Sequence, residues 1–220
     1  MDINNYIEHT LLKPSTTERE IIDLCNDAKK HKFYGVCVNS CYISLAKQLL
    51  SQTGVKIVSV IGFPLGAMAT EAKIFEAKNA IYDGADEIDM VINIGLLRSQ
   101  NHVAVFKDLS GVKRAIGNVP LKVILEISEL SKNEIVKACE ICMDAKVDFI
   151  KTSTGFSKSG ATLTAVKIIK KIVKDNAKIK ASGGIKDLDT LLKYIDAGAD
   201  RIGTSSGVAM MIEKLSSDKN

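Results

Sequence analysis

GADEIDMV, residues 84–91, is the first of three similar segments, and the other two are AKVDFIKT at residues 145–152 and GADRIGTS at residues 198–205. Each contains a small residue, an Asp, two residues of a predicted strand, and then a position that varies. Short apolar segments of this kind alternate with amphipathic helical segments from end to end of the chain. That alternation predicts parallel β/α units.

Eight such strands are predicted, which is the number that a closed barrel needs. No linker or change of composition divides the chain, so we expect an α/β fold with a single (β/α)8 TIM barrel that forms one domain over residues 1–220. The strand segments, named by their first residues, are YIEHTLL (Tyr6), GVCVNS (Gly35), VKIVSVIGF (Val55), EIDMVIN (Glu87), LKVILEI (Leu121), FIKTST (Phe149), KIKASGG (Lys178) and RIGTSS (Arg201).

The varying position of the repeat holds Asp89, Lys151 and Gly203. If the three segments are strands four, six and eight, these positions belong to equivalent layers, because alternate strands of such a barrel contribute to the same layer. Asp89 and Lys151 are then expected to point into one space. A second lysine, Lys180 in KIKASGG, lies on predicted strand seven, between the strand of Lys151 and the strand of Gly203.

An amine, a carboxylate and a second amine suit Schiff-base chemistry. A lysine can attack an aldehyde or ketone and form an iminium ion, but only as the neutral amine, and an ordinary lysine has a pKa of roughly 10.4. We expect the positive charge of Lys180 to favour a neutral Lys151, and Asp89 to shuttle protons directly or through a water. The alternative is structural: Asp89 would only form an ion pair that makes a buried lysine tolerable, and each lysine would extend its amine from a strand end.

Glycine and serine turns after strands seven and eight predict a phosphate site, because that is where this architecture commonly binds phosphate. Glycine lets backbone N–H groups approach an anion, and hydroxyl groups add donors. Ordinary tight turns also use glycine, so it is the pair of turns that favours phosphate. The residues concerned are Ser182, Gly183 and Gly184, and then Gly203, Thr204, Ser205, Ser206 and Gly207.

The composition excludes several other classes of protein. Apolar residues make up 46% and charged residues 25% of the 220 residues, a globular balance, and the net charge is only +4. The one dense basic run, residues 167–180, has its lysines at helical spacing and is interpreted as a solvated helix face rather than a nucleic-acid patch. The start lacks a signal peptide, and no run approaches the ~18 apolar residues of a membrane span, so we expect a cytoplasmic protein without a membrane partner.

Five cysteines, an odd number in a chain without an export signal, predict free thiols in a reducing compartment. Cys139 and Cys142 form a CxxC pair, but both fall on the apolar face of a predicted helix. No second pair at metal-ligand spacing accompanies them, so core packing is favoured over zinc or redox chemistry.

Taken in order, HTLLKP, CVNS, IGFPLG, GADEIDMVIN, LKVILE, DFIKTSTGF, KASGGI and RIGTSSG resemble the deoxyribose-phosphate aldolase family over nearly the whole chain. The resemblance implies a barrel that cleaves the phosphosugar 2-deoxy-D-ribose 5-phosphate reversibly into D-glyceraldehyde 3-phosphate and acetaldehyde. It implies no metal and no organic cofactor, and it is compatible with a homodimer or a higher homo-oligomer.

Carried over motif by motif, Lys151 is the Schiff-base lysine, and Asp89 and Lys180 match the proton donor or acceptor positions. The implied substrate-binding residues are Thr10, Leu12, Cys37, Thr154, Gly155, Gly183, Gly184, Gly203, Ser205 and Ser206. Two departures stand out. Glu8 occupies a position where members usually have Asp, which displaces its carboxylate by one methylene, and the SSDKN tail lacks the terminal tyrosine that some members carry.

Three other functions are compatible with parts of the sequence. The first is another phosphosugar Schiff-base lyase, such as a transaldolase-like enzyme, which product analysis would distinguish. The second is a phosphate-binding barrel without catalysis, in which Asp89 and the two lysines are only a buried charge cluster. The third is nucleic-acid binding through the basic run, which would show strong salt dependence.

Overall fold

The computed structural model describes residues 1–217, and its centre is a closed barrel of eight parallel strands in sequential order. The predicted α/β barrel is therefore confirmed, and every predicted strand segment contains one of its strands. The strands are β1 (Ile7–Leu11), β2 (Gly35–Asn39), β3 (Lys56–Ile61), β4 (Glu87–Val91), β5 (Leu121–Ile124), β6 (Phe149–Lys151), β7 (Lys178–Ser182) and β8 (Arg201–Thr204).

Nine α-helices within residues 1–217 follow or link these strands. Two of them begin with a capping box, formed by Thr17 with Glu20 and by Ser131 with Glu134, a pattern that the sequence itself carries. The helices are α1 (Glu18–His31), α2 (Ile43–Leu50), α3 (Thr70–Tyr82), α4 (Ile94–Arg98), α5 (His102–Ile116), α6 (Lys132–Asp144), α7 (Leu163–Val173), α8 (Leu188–Asp196) and α9 (Gly207–Ser217), with short 3-10 turns at Ile3–Tyr6, Ser40–Tyr42 and Ile127–Glu129.

The two faces of each strand differ in polarity, as the period of two in a strand allows. Outward residues such as Ile88, Val123 and Ile150 join the large apolar core between strands and helices. Several inward positions instead carry ionisable side chains, among them Asp89 and Lys122, which are fully buried. The barrel interior therefore contains buried charged side chains beside a small apolar cluster that includes Val58 and Val60.

The surroundings of the residues bear on two interpretations of the sequence. Cys139 and Cys142 are fully buried in α6, and burial raises the pKa of the Cys139 thiol to about 12, so the pair packs in the core. On α7, Ile169 and Val173 are buried while Lys167 faces solvent. All five cysteines are free thiols. No helix within residues 1–217 is long and apolar enough to cross a membrane.

The loop after β6, residues 152–162, lies over the carboxyl end of the barrel and is fixed at several points. Ala161 donates its N–H to the carbonyls of Ser182 and Gly183 at 3.1 and 3.0 Å. Glu129 accepts from Ser157 Oγ at 2.6 Å and pairs with Lys158 at 3.0 Å. These contacts tie the loop to the end of β7 and to the turn after β5. The tail without a tyrosine ends at residues 218–220, outside the described residues.

Candidate active site

Lys151, the last residue of β6, opens on a cleft of about 250 Å³ at the carboxyl ends of the strands. Its side chain is 3% exposed, whereas those of Asp89 and Lys180 are completely buried beneath it. The cleft is also lined by most of the residues predicted to bind substrate, namely Thr10, Leu12, Thr154, Gly155, Gly183, Gly184, Gly203 and Ser205.

Asp89 lies between the two lysines. Its Oδ2 is 2.8 Å from Nζ of Lys151 and 2.7 Å from Nζ of Lys180. The sequence predicted that the charge of Lys180 would act on Lys151 directly. The geometry differs, because a carboxylate separates the two amines and a second carboxylate, Glu8, also holds Lys180. The carboxylate of Glu8, one methylene longer than that of Asp, reaches this network.

Three further charged residues of this site, Glu87, Lys122 and Arg201, were not predicted from the sequence. Lys122 on β5 lies 2.9 Å from Asp89 Oδ1 and 2.5 Å from Glu87 Oε2. Arg201 on β8 lies 3.6 Å from Glu8 Oε1. The register pairs Lys122 with Asp89, so a lysine inside the apolar run LKVI was the signal that could have revealed it.

We call Glu8, Glu87, Asp89, Lys122, Lys180 and Arg201 the ionic cluster. Burial alone would raise the pKa of Asp89, but the positive charges of Lys122 and Lys180, and that of Lys151 whenever it is protonated, outweigh burial and hold that pKa well below its usual range. Burial alone would lower the pKa of Lys180, and here Asp89 and Glu8 outweigh it and hold the pKa well above its usual range. Asp89 is therefore a carboxylate and Lys180 an ammonium at neutral pH.

The charges of the ionic cluster balance without Lys151. Its three carboxylates, Glu8, Glu87 and Asp89, face its three cations, Lys122, Lys180 and Arg201. A protonated Lys151 is one positive charge more than the buried acids can match, and an unmatched charge is costly away from water. The ionic cluster is thus balanced by its own residues, and Lys151 is the one cation in excess.

Cys37 was predicted to line the substrate, but it is fully buried and packs beside Leu12, Val58 and Val60 rather than lining the cleft. Together with Glu8 and Asp89 it brings three metal-ligand atoms within 4.8 Å of one another. Both carboxylates already hold the ammonium of Lys180, and burial raises the pKa of the Cys37 thiol. These residues are arranged for an ammonium ion and do not fit a metal ion.

At the other side of the cleft, two turns present backbone N–H groups. Among residues 1–217, no hydrogen bond occupies the N–H of Gly183, Gly184 or Ser205. Two cations that the sequence analysis missed, Lys13 and Lys186, also line this cleft. Free N–H groups beside lysines are the components of an anion site.

Ser206 was predicted in the phosphate site but does not line the cleft. Its N–H donates to Thr204 Oγ1 at 2.9 Å, and its carbonyl accepts the N–H of Met210 in the first turn of α9. Ser206 therefore starts a helix. Ser205 is the hydroxyl residue of this turn that reaches the cleft.

Gly203, also predicted among the substrate-binding residues, in addition leaves room for the side chain of Lys180. A Cβ at this position would lie 3.1 Å from Cε of Lys180 and 3.0 Å from Cβ of Ser182. Both distances are tighter than ordinary contacts, so any larger residue would push against Lys180. The glycine keeps open the space through which Lys180 reaches Asp89.

Comparison with known proteins gives concordant results. The family model described as DeoC/LacD family aldolase matches residues 6–212. Deoxyribose-phosphate aldolase 1 of Mesoplasma florum is 53% identical over 211 residues, which cover 96% of each chain. Among solved structures, one described as "QR15, an Aldolase" superimposes with a TM-score of 0.95 at 43% identity, covering 99% of this chain and 98% of that one. The tetrameric deoxyribose phosphate aldolase from Aeropyrum pernix has a TM-score of 0.87 at 32% identity, covering 96% and 90%.

Proposed function

The chain belongs to the DeoC/LacD family of aldolases, and we propose that it cleaves 2-deoxy-D-ribose 5-phosphate reversibly into D-glyceraldehyde 3-phosphate and acetaldehyde, in deoxynucleoside catabolism. The observation that carries the proposal is the position of Lys151, which lines the cleft and exceeds the charge balance of the ionic cluster. An amine at the mouth of a cleft, with a carboxylate beside it that can take up its proton, is what a Schiff-base nucleophile requires.

The reaction can be followed atom by atom. The neutral amine of Lys151 adds to the aldehyde carbon of the open-chain sugar, and the carbinolamine loses water to give an iminium ion. The hydroxyl on the third carbon then gives up its proton and becomes the aldehyde of glyceraldehyde 3-phosphate, which leaves. The bond between the second and third carbons breaks in the same step, and the electron pair of that bond moves into the iminium to form an enamine. Protonation of the enamine carbon and hydrolysis release acetaldehyde and regenerate the amine.

The residues behind Lys151 are suited to the proton transfers. Asp89 is 2.8 Å from the amine and ionised, so it can accept a proton there and return it. Lys180 is 2.7 Å from the same carboxylate oxygen and protonated, so it can serve as the donor behind Asp89. Both are completely buried, and we propose that they reach the substrate carbon through a water or through Lys151 itself.

We expect the phosphate to be held by the two turns and the neighbouring lysines. Ser205→Asp, which adds a negative charge beside that site, should raise KM for deoxyribose 5-phosphate by roughly 10- to 100-fold, the cost of like charges at close range. Unphosphorylated deoxyribose should be a much poorer substrate of the parent, because remote binding energy orients the reacting carbon. Steady-state kinetics with both sugars checks this.

The matched control for that prediction is Lys171→Asp, a charge change of larger size on the exposed face of α7, away from the cleft. It should leave KM within about twofold, since exposed charges at a distance are screened by salt. Equal turnover of the two sugars by the parent, or an unchanged KM in Ser205→Asp, would contradict phosphate binding at this end of the cleft.

Activity should also survive strong chelators. The iminium ion provides the electron sink that a metal provides in other aldolases, and the acids nearest the cleft are paired with lysines. Turnover after overnight dialysis against EDTA is therefore expected to equal that of the untreated protein. A loss that a divalent ion restores would contradict the proposed mechanism.

One experiment tests the proposal as a whole. Incubation with deoxyribose 5-phosphate and borohydride should reduce the imine and leave a stable adduct, which peptide mass mapping should locate on Lys151. A transaldolase-like enzyme would release other products, and a non-catalytic phosphate-binding barrel would give no adduct. A single domain over residues 1–220, a cytoplasmic location and a homo-oligomeric assembly stay predictions.

A further inference from the structure

Glu126 is a buried carboxyl group beside the cleft that the proposed reaction does not use. It lies two residues beyond β5, is 3% exposed, and adopts a left-handed backbone with φ 57°. Backbone bonds fix it on both sides: the N–H groups of Leu125 and Ile127 donate to the carbonyls of Lys151 and Thr152 at 2.9 and 3.1 Å. A non-glycine residue in this conformation is uncommon, and such strain is concentrated at functional sites.

The left-handed turn brings the Glu126 carboxylate to Thr154, which lines the cleft. Its Oε2 accepts the hydroxyl of Thr154 in a short hydrogen bond and also accepts the N–H of Thr154 at 3.3 Å. Within residues 1–217 the other oxygen, Oε1, has no hydrogen-bond partner although it is buried. The side chain of Glu126 therefore forms its hydrogen bonds with Thr154 alone, through Oε2, and its buried Oε1 is left unpaired.

These bonds determine what the Thr154 hydroxyl can offer to a ligand. A hydroxyl has one proton to donate and two positions at which it can accept. The proton goes to Glu126, and one acceptor position is taken by the N–H of Phe156 at 3.0 Å. The position that remains can only accept, so Thr154 presents an acceptor and no donor.

We propose that Glu126 is a positioning residue that makes Thr154 an acceptor for a hydroxyl group of the phosphosugar. The inference rests on the proposed aldol cleavage and adds to it a specificity for the phosphorylated half of the substrate. Of the two products, only glyceraldehyde 3-phosphate carries a free hydroxyl, on the carbon next to its aldehyde. Acetaldehyde has none and reaches Lys151 without this contact.

The test runs the reaction in the direction of synthesis. Acetaldehyde is condensed either with glyceraldehyde 3-phosphate or with 3-oxopropyl phosphate, which has the same phosphate and aldehyde but lacks the hydroxyl. Burial raises the pKa of Glu126, although the hydrogen bonds from Thr154 oppose the shift. Rates are therefore compared at about pH 8, well above the ordinary pKa of a glutamate side chain.

The preference of the parent for glyceraldehyde 3-phosphate, as a ratio of kcat/KM values, should fall by about three- to tenfold in Glu126→Ala, the value of one hydrogen bond. The borohydride adduct of acetaldehyde on Lys151 should form at the parental rate. Loss of that adduct in the parent would count against the proposed function, whereas an unchanged preference in Glu126→Ala would overturn only the role of Glu126.

A double-mutant cycle separates this role from general support of the loop. Thr154→Val removes the hydroxyl with little change of shape, and in that background Glu126→Ala should have no further effect on the preference. Effects that add would overturn the inference, as would equal losses with both aldehydes. Glu129→Gln is the control, because Glu129 holds the same loop through Ser157 and Lys158 without contacting Thr154, and it should change the preference by less than about twofold.

If Glu126→Ala does not fold, Glu126→Gln gives the same answer. The amide keeps the size and one acceptor oxygen. It also has an N–H group that can donate to the Thr154 hydroxyl, which would leave the hydroxyl proton free to be donated to a ligand. The preference should fall by a smaller factor while thermal stability stays near that of the parent. A Gln variant that keeps the full preference would overturn the proposed polarity of Thr154.

Discussion

Replacing Lys151 with alanine is expected to lower aldol cleavage by about 10⁴-fold or more, as loss of a covalent nucleophile does in other enzymes. No borohydride-stable adduct should form with either deoxyribose 5-phosphate or acetaldehyde. The fold should persist, because Lys151 is the cation in excess and its removal leaves the charges of the ionic cluster matched. Intact mass after borohydride treatment and a thermal melt measure the two effects.

Lys158→Ala is the matched control for that variant. Lys158 lies on the loop that follows β6, and its side chain is 75% exposed, so its removal should leave adduct formation unchanged. If Lys151→Ala still traps substrate on one specific lysine, the nucleophile has been assigned to the wrong residue. Lys180 then becomes the leading candidate.

Asp89→Asn is expected to have the second largest effect, on stability as well as on rate. The substitution keeps the volume but leaves two carboxylates, Glu8 and Glu87, against the three cations of the ionic cluster. Removing one partner from a buried ionic group typically costs about 3–5 kcal/mol of unfolding free energy. Turnover should fall by roughly 10²- to 10⁴-fold through slower proton transfer, while slow imine trapping on Lys151 continues.

Acid titration of stability gives an independent test of Asp89. Its pKa is lowered in the folded state, so its ionic contribution is complete above the pKa of the unfolded chain and is lost as pH falls through the folded value. Below about pH 4, the parent should therefore lose stability more steeply than Asp89→Asn. Urea unfolding at a series of pH values measures this difference.

The control for both measurements is Asp175→Asn, in which the replaced side chain is fully exposed. It should change neither turnover nor the acid limb of the stability curve. Parallel acid limbs in the parent and Asp89→Asn would mean that Asp89 is not held as a buried carboxylate. If Asp89→Asn had the turnover of the parent, Asp89 would have no role in the proton transfers.

Elements with local signals could be predicted from the sequence. Strand positions follow from short apolar runs bounded by helical segments, and the capping residues Thr17 and Ser131 each carry their own hydrogen-bonding pattern. The meeting of Asp89 with Lys151 also had a local signal, because the repeat places both at the same point of their strands. These predictions needed only the period of the elements and their order.

The rest of the site depends on closure of the barrel, which no local pattern encodes. Glu8 and Lys180 are 172 positions apart in sequence and meet because β8 pairs with β1. Lys122 looks like an ordinary strand lysine until the register sets it beside Asp89. Cys37 and Ser206 occur in motifs that favour substrate contact, and only packing shows that one lies in the core and the other starts a helix.

The matched charges inside the barrel also limit how such a sequence can diverge. A single substitution that removes Glu87 leaves Lys122 with one acid fewer, and one that removes Lys122 leaves Glu87 buried beside Tyr34 without a cation. Both intermediates leave the buried charges unequal, whereas exchange of the two for a well-packed apolar pair removes one charge of each sign and keeps the numbers of acids and cations equal. We therefore expect homologous chains to lose or keep these two residues together, so that positions 87 and 122 covary although neither touches the cleft.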